Sequence, residues 1–330
     1  MKHILVAVLV CLTFWVSSSQ ADTYIGFNGV YTTSSGEVIR CAPLPTPAPE
    51  PTPIPVACTY VASPSSNLKA IADVLKPGDI VCLHGGVYTK TLYLSKSGTR
   101  DKPILITGFP GESKPIFDTN YSDSSVANIR VFGTYNILDG IESRHGKSGI
   151  TLNRDNNTVR NSWIHDSHWF GIQVAASSGN TIEKNRIERN GDSTCTVPNC
   201  SPRHAHNIYI SNPSGYCKNM TGNKILNNYL GESGGAAVNM NGQPCSGYYI
   251  DSTVIDGNTI VDSSMGVPVY YNIRNTAIRN NSFTIQTPPV SNLPVSMKAA
   301  ILTWGVPASE PVMSNNTFNL KSDYVPLKRF

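Results

Sequence analysis

The sequence predicts an all-β fold, a right-handed parallel β-helix (a solenoid) closed by a short N-terminal capping helix. Two observations predict it. A unit of apolar, two residues, polar, one residue, apolar recurs at intervals that begin near 23, and a strand of period-two alternation follows most of these units. A third observation, the leader at the start of the chain, sets the compartment.

Met1, Lys2 and His3 give a basic start, residues 4–16 run apolar, and Ser17-Ser18-Ser19-Gln20-Ala21 supplies small residues for cleavage. That is the make-up of a secretory signal peptide over residues 1–21. The apolar run of about 13 residues is too short to span a membrane, which takes about 20, and no later stretch is better suited. A secreted, periplasmic or extracellular protein is expected. Residues 22–41 form a short N-terminal segment. Residues 42–57 place proline at alternate positions, which enforces extended polyproline II and makes a semi-rigid linker. The β-helix domain is expected over residues 58–330.

That domain opens on a helix. In residues 67–75, Leu68, Ile71 and Leu75 share one helical face, and Pro77-Gly78 ends it. The first coil of a solenoid has no neighbour to bury its apolar end, so an amphipathic helix there acts as a lid.

The repeat then takes over. It reads Val159, Ser162, Ile164; Ile182, Asn185, Ile187; Ile225, Asn228, Leu230; Ile255, Asn258, Ile260; Ile278, Asn281, Phe283; and Met313, Asn316, Phe318. The middle positions lie 23, 43, 30, 23 and 35 residues apart. The shorter interval is one coil, and the longer ones are coils carrying inserted loops. Another small polar residue follows the second apolar position by three: Ser167, Asn190, Ser233 and Ser263. Stacked asparagines hydrogen-bond to their counterparts in the next coil and tolerate the left-handed backbone of a sharp bend. The sequon Asn156-Asn157-Thr158 is read as part of this ladder rather than as a glycosylation site.

Residues 149–153, 171–175, 207–211, 237–241 and 268–272 form the second strands. Alternation sends Ile150, Leu152, Ile172, Val174, Ile208, Ile210, Val238 and Met240 inward. It aligns Thr151, Gln173, Tyr209, Asn239 and Tyr270 in one outward row, and Asn153, Ala175, Ser211, Asn241 and Asn272 in the next. Amides, hydroxyls and phenols in rows suit sugars, since rings stack on aromatic faces and amides bond hydroxyls. A solvated sheet face is the bland alternative.

Charged residues make up 15% of the chain, and the net charge of +4 is too small to suggest nucleic acid. The basic residues between Arg144 and His206 fall in one zone, which favours an anionic partner or forms a solvated face. Of eight cysteines, Cys11 leaves with the leader. Export permits disulfides. The expected pairings are Cys195 with Cys200, Cys217 with Cys245 and Cys41 with Cys58, leaving Cys82 a buried thiol.

The run Leu75-Lys-Pro-Gly-Asp-Ile-Val-Cys-Leu-His-Gly-Gly-Val-Tyr88, with Ser97-Gly98, residues 103–107 and Pro110-Gly111-Glu112, resembles the N-terminal cap of β-helical polysaccharide lyases. These are the chondroitinase B/alginate lyase group and the calcium-dependent pectate lyases. Residues 164–174 are similar to the matching coil of the pectate lyase group. The resemblance covers the cap and repeats and implies a β-helix acting on polysaccharide. The pectate lyase group carries clustered aspartates for calcium and a lysine base at the next coil. Here Asp192 is a lone acid, and Tyr209 and Ser211 stand where the lysine would be. Calcium takes several oxygen ligands, so no metal and no cofactor are expected.

Elimination from a uronate needs a cation for the carboxylate, a base for the proton beside it and an acid for the departing oxygen. Arg203 or Arg189 suits the first, His206 the second and Tyr209 the third. His168 joins them as a catalytic candidate from the bend one coil earlier. His165, Gln173, Asn239, Asn241, Tyr270 and Asn272 are candidates for binding substrate. Hydrolysis needs paired carboxylates; none of the outward positions is acidic, and Asp166, Asp192 and Glu232 sit at bends. The expected function is therefore a monomeric lyase on an acidic, uronate-containing polysaccharide. A C5-epimerase or a non-catalytic binding module is the alternative.

Overall fold

The computed structural model describes residues 57–121, 127–191, 205–213, 215–242, 245–290, 293–305 and 309–329, with the backbone of two short strands near the N-terminus. Those strands, Val30–Thr32 and Val38–Arg40, pair antiparallel inside a unit spanning residues 1–54. The leader, the proline linker, Arg203 and the Cys195–Cys200 pair lie outside the described residues.

Residues 55–330 form the larger unit. Among the described residues its strands stack in three long parallel sheets. The first sheet runs from Tyr60–Ala62 to Val312–Ser314, the second from Gly86–Tyr88 to Thr317–Leu320, and the third from Leu92–Leu94 to Val325–Arg329. Each coil gives one strand to each sheet in turn. A small fourth sheet, Met220–Thr221 with Ile250–Asp251 and Ile273–Arg274, widens three coils. No helix among the described residues is long and apolar enough to cross a membrane.

The expected helix is present at Leu68–Val74, with the Asn67 side chain accepting from the Ala70 amide at 3.2 Å. Such a cap contributes about 1 kcal/mol. Ala72 and Leu75 are buried, and Leu68 and Ile71 pack on the core, so the helix closes the first coil. Every residue expected inside, from Ile150 to Met240, is buried.

The ladder is also as expected. The backbone N–H of Ser162 donates to Asn185 Oδ1, Asn185 to Asn228, Asn228 to Asn258, Asn258 to Asn281 and Asn281 to Asn316, all at 2.9–3.0 Å. Each bond contributes about 1 kcal/mol, and a buried amide left without its partners costs more. A second ladder, Asn136, Asn157, Asn180 and Asn223, runs at 2.8–3.0 Å along another corner. Its member is Asn157; Asn156 of the sequon is an exposed residue in the left-handed conformation (φ 61°), which corrects its assignment to the ladder.

Two disulfides are described. Cys217–Cys245 is the expected one. Cys58–Cys82 is not: it replaces the expected Cys41–Cys58 pair and the free Cys82. Cys82 lies on the strand Ile80–Leu83, paired with Tyr60–Ala62, so the coil before it carries Cys58 alongside.

Candidate functional site

Strand pairing aligns Tyr93, Arg130, Thr151, Gln173, Tyr209 and Asn239 in the first outward row of the third sheet. The second row is Ala175, Ser211, Asn241, Tyr270 and Trp304. Tyr270 therefore belongs beside Asn241, one row over from its expected place. The strand there is Val267–Tyr270, two residues earlier than the repeat of Val-x-x-x pattern suggests. Asn272 is in neither row. It turns a corner at φ 54°, and its amide donates to the carbonyls of Gly242 (3.1 Å) and Cys245 (3.2 Å).

His206, Tyr209, Asn239, Asn241 and Tyr270 lie together on this face. His206 opens the strand His206–Ser211 and Tyr209 is its fourth residue; their ring centroids are 5.3 Å apart. Phe170, from the preceding coil, packs 4.6 Å from Tyr209 and 5.8 Å from His206. His206 is buried, and its Nδ1 accepts the Ala236 amide at 3.0 Å. A neutral ring that accepts at Nδ1 carries its proton at Nε2. Nε2 lies 2.7 Å from Asn239 Nδ2; two donors cannot face each other, so the amide is read turned over, with its carbonyl oxygen accepting from Nε2. The NH2 of Asn239 then takes the buried position that has no protein partner. This arrangement gives His206 no lone pair with which to accept a substrate proton. His206 is engaged at both ring nitrogens rather than placed as the base that the sequence suggested.

Asn241 Nδ2 lies 3.5 Å from the Tyr209 hydroxyl. Burial pushes the Tyr209 phenol up from its ordinary value, partly offset by Asn241 and Ser211. Tyr270 is pushed up to about 12 by burial and then by the charge Tyr209 would carry. Both phenols are therefore protonated at neutral pH.

The other expected residues lie across a corner. His145, Asp166, Arg189 and Glu232 adopt φ of 47–51° and turn the chain from the second sheet to the third, so residues on either side face different flanks. On the second-sheet flank, Arg189 grips Asp166 through Nε and Nη2 at 3.0 Å and Glu188 through Nη1 at 2.7 Å. His165 sits between Glu142 (3.4 Å) and Asp166 (2.5 Å). Arg186 holds the other Glu188 oxygen at 2.6 Å, an ion contact whose angle is too poor for a hydrogen bond. Arg144 bridges Asp118 and Glu142. Burial works against the Asp166 charge, but His165 and Arg189 outweigh it and hold the carboxyl at about 2. Burial likewise opposes the Glu188 charge, and Arg186 and Arg189 keep it below the usual range. Arg189, bound first by Asp166, is held above its ordinary value.

His168 stacks on Tyr121 at 3.8 Å, whose hydroxyl donates to the Asp166 carbonyl. Tyr121, Asp166, Ser167, Arg189, Gly191, Glu232 and Pro289 line a groove of about 430 Å³. Arg189 lines it, while His165, His168, His206 and Tyr209 do not. Among the described residues no group of His, Cys, Asp or Glu is arranged to hold a metal ion.

Phe170, Arg130 and Trp304 join this face without having been singled out in sequence. The alternation of residues 127–131 was the available signal for Arg130.

Residues 57–220 match the family model described as the Pel9A-like, right-handed β-helix region. That stretch is similar to the Pel9A-like β-helix region. Two solved structures with TM-scores above 0.5 are similar in fold. The alginate lyase from Paenibacillus sp. str. FPU-7 is 16% identical with a TM-score of 0.52, over 83% of this chain and 99% of its own. The pectin methylesterase from Aspergillus niger is 12% identical with a TM-score of 0.51, over 83% and 90%. Pectate lyase Pel9A is 15% identical with a TM-score of 0.45, over 81% and 79%. No curated protein sequence matches. At these identities the likeness is one of fold, and function rests on the chain's own side chains.

Proposed function

We propose that the chain is an exported, monomeric lyase that binds an acidic polysaccharide along the outer face of the third sheet and cleaves it by β-elimination. The observation that carries this is the cluster of Tyr209, His206 and Asn239: Tyr209 and Asn239 are neighbours in one outward row, and His206 packs against both. The protonated Tyr209 serves the departing oxygen, the proton beside the carboxylate passes to solvent water, and the His206–Asn239 pair packs beside the phenol. Gln173, Asn241 and Ser211 bond sugar hydroxyls, while Tyr270 and Trp304 offer ring faces. Neither row carries Asp or Glu, which disfavours hydrolysis and spares a polyanion from repulsion. The names of two neighbours, an alginate lyase and a pectate lyase, point to the same class of substrate.

A second reading has its own support. With His206 engaged at both ring nitrogens, the face suits binding without proton abstraction, as in an adhesion module.

One experiment separates them. The full chain is incubated with pectate, alginate, glucuronan and glycosaminoglycans while the absorbance of an unsaturated uronate is followed. The lyase gives a signal on one polymer that Tyr209→Phe abolishes. Retention on the same polymers in affinity gels without absorbance selects the binding module. Neither signal nor retention removes the acidic-polysaccharide reading.

A further inference from the structure

We infer that Arg130, braced by Tyr93 and Phe132, is a carboxylate-binding subsite at the N-terminal end of the third-sheet groove; this rests on the acidic-polysaccharide reading above. Arg130 faces outward on the strand Ala127–Val131, in the same row as Thr151, Gln173 and Tyr209. Its guanidinium lies 4.8 Å from the Phe132 ring centroid and 5.8 Å from that of Tyr93. Contacts of that kind hold a cation in place without neutralising it.

Most other arginines differ; Arg100 and Arg154, which likewise meet no acid among the described residues, are exposed. Arg144, Arg160, Arg186, Arg189, Arg274, Arg279 and Arg329 each meet a carboxylate. Arg130 meets none among the described residues and makes no hydrogen bond to them, although it is half-buried. A half-buried guanidinium with its fork of donors unspent is built for a planar anion from outside, and a carboxylate fits it with two hydrogen bonds.

Spacing identifies which carboxylate. Strands in a sheet repeat at about 4.8 Å, so three rungs set Arg130 roughly 14 Å from Tyr209 along the helix axis. One rung is comparable to the length of one sugar in an extended chain. A polyuronate laid on the row with its reacting bond at Tyr209 therefore presents a carboxylate near Arg130 about three sugars away.

Length dependence tests this. Binding of oligouronates of graded length to the full chain is measured by calorimetry for the parent, Arg130→Gln and Arg130→Lys. In the parent, affinity rises by about tenfold when the oligomer grows long enough to reach Arg130. Arg130→Gln loses that rise and binds short oligomers as the parent does. Arg130→Lys recovers part of it, since charge remains and the fork is lost. If Arg130→Gln matches the parent at every length while the parent binds acidic oligomers, the subsite is wrong and the wider reading stands. If the parent binds no acidic oligomer of any length, both fall.

Discussion

On the second sheet, Asp118, Glu142, Asp166 and Glu188 meet Arg144, His165, Arg186 and Arg189 in one run of ion pairs. On the third sheet, one corner away, the first outward row carries one guanidinium and no carboxylate from Tyr93 to Asn239. The flank richest in charge has its charges cancelled by neighbouring coils. The face that is nearly neutral keeps donors in hand. A basic stretch in sequence is therefore a poor guide to a basic surface in a solenoid, because acids one coil away sit alongside it.

The sharpest way to break the contrast is a pair of substitutions, one on each side. Tyr209→Phe removes only a hydroxyl from the third sheet. Turnover should fall by at least about 100-fold, with unfolding free energy changed by no more than about 1 kcal/mol. Glu188→Ala removes a buried carboxylate that takes Trp163 Nε1, Arg186 and Arg189. Urea unfolding should show a loss of about 3 kcal/mol, with turnover per folded molecule preserved. The opposite pattern, a stable but inactive Glu188→Ala protein, would move the chemistry to the second sheet.

Acid should act on the second-sheet flank and spare the outward rows of the third sheet. Asp118, Asp166 and Glu188 all have carboxyls held below their ordinary values by their partners, Asp166 at about 2. Their contribution is complete above the ordinary carboxylate range of about 4 and is lost as pH falls toward about 2. The thermal midpoint should drop across that window, and Glu188→Ala should flatten the drop. A midpoint that holds steady to pH 2 would contradict the ion-pair account.

Base tests the other face. Tyr209 as an acid must stay protonated, and burial raises its value. Turnover should therefore persist through the ordinary tyrosine range near 10 and fail only above it; a decline centred at or below that range would remove Tyr209 from the role. The smallest effect is expected from Gln173→Ala, which deletes one amide contact and should weaken polymer binding by about fivefold.

How much of this was legible depends on distance along the chain. The inward residues, the cap helix and the asparagine ladder follow from local periodicity, and each stands where the pattern puts it. What failed needed the length of a particular coil. Tyr270 was misplaced because Val269-Tyr270-Tyr271-Asn272 imitates the repeat, while the strand begins two residues earlier. Cys58 found Cys82 because the first coil brings residues 24 apart together, a spacing that precedes the visible repeat. The pairing of Arg189 with Asp166 spans 23 residues and could be seen only after the coils were stacked. Arg130 was hidden for the converse reason: nothing local distinguishes an arginine that finds an acid across the coil from one that does not.

The asparagine ladder has a consequence for how such a chain can change. Its links join residues 23, 43, 30, 23 and 35 positions apart with the same bond lengths. The link is blind to how much chain loops out between its two ends. New peptide can accordingly be spliced in at a bend, or trimmed from it, with the stack left undisturbed. The scaffold stays constant while the walls of its groove are free to be rebuilt for a different polymer.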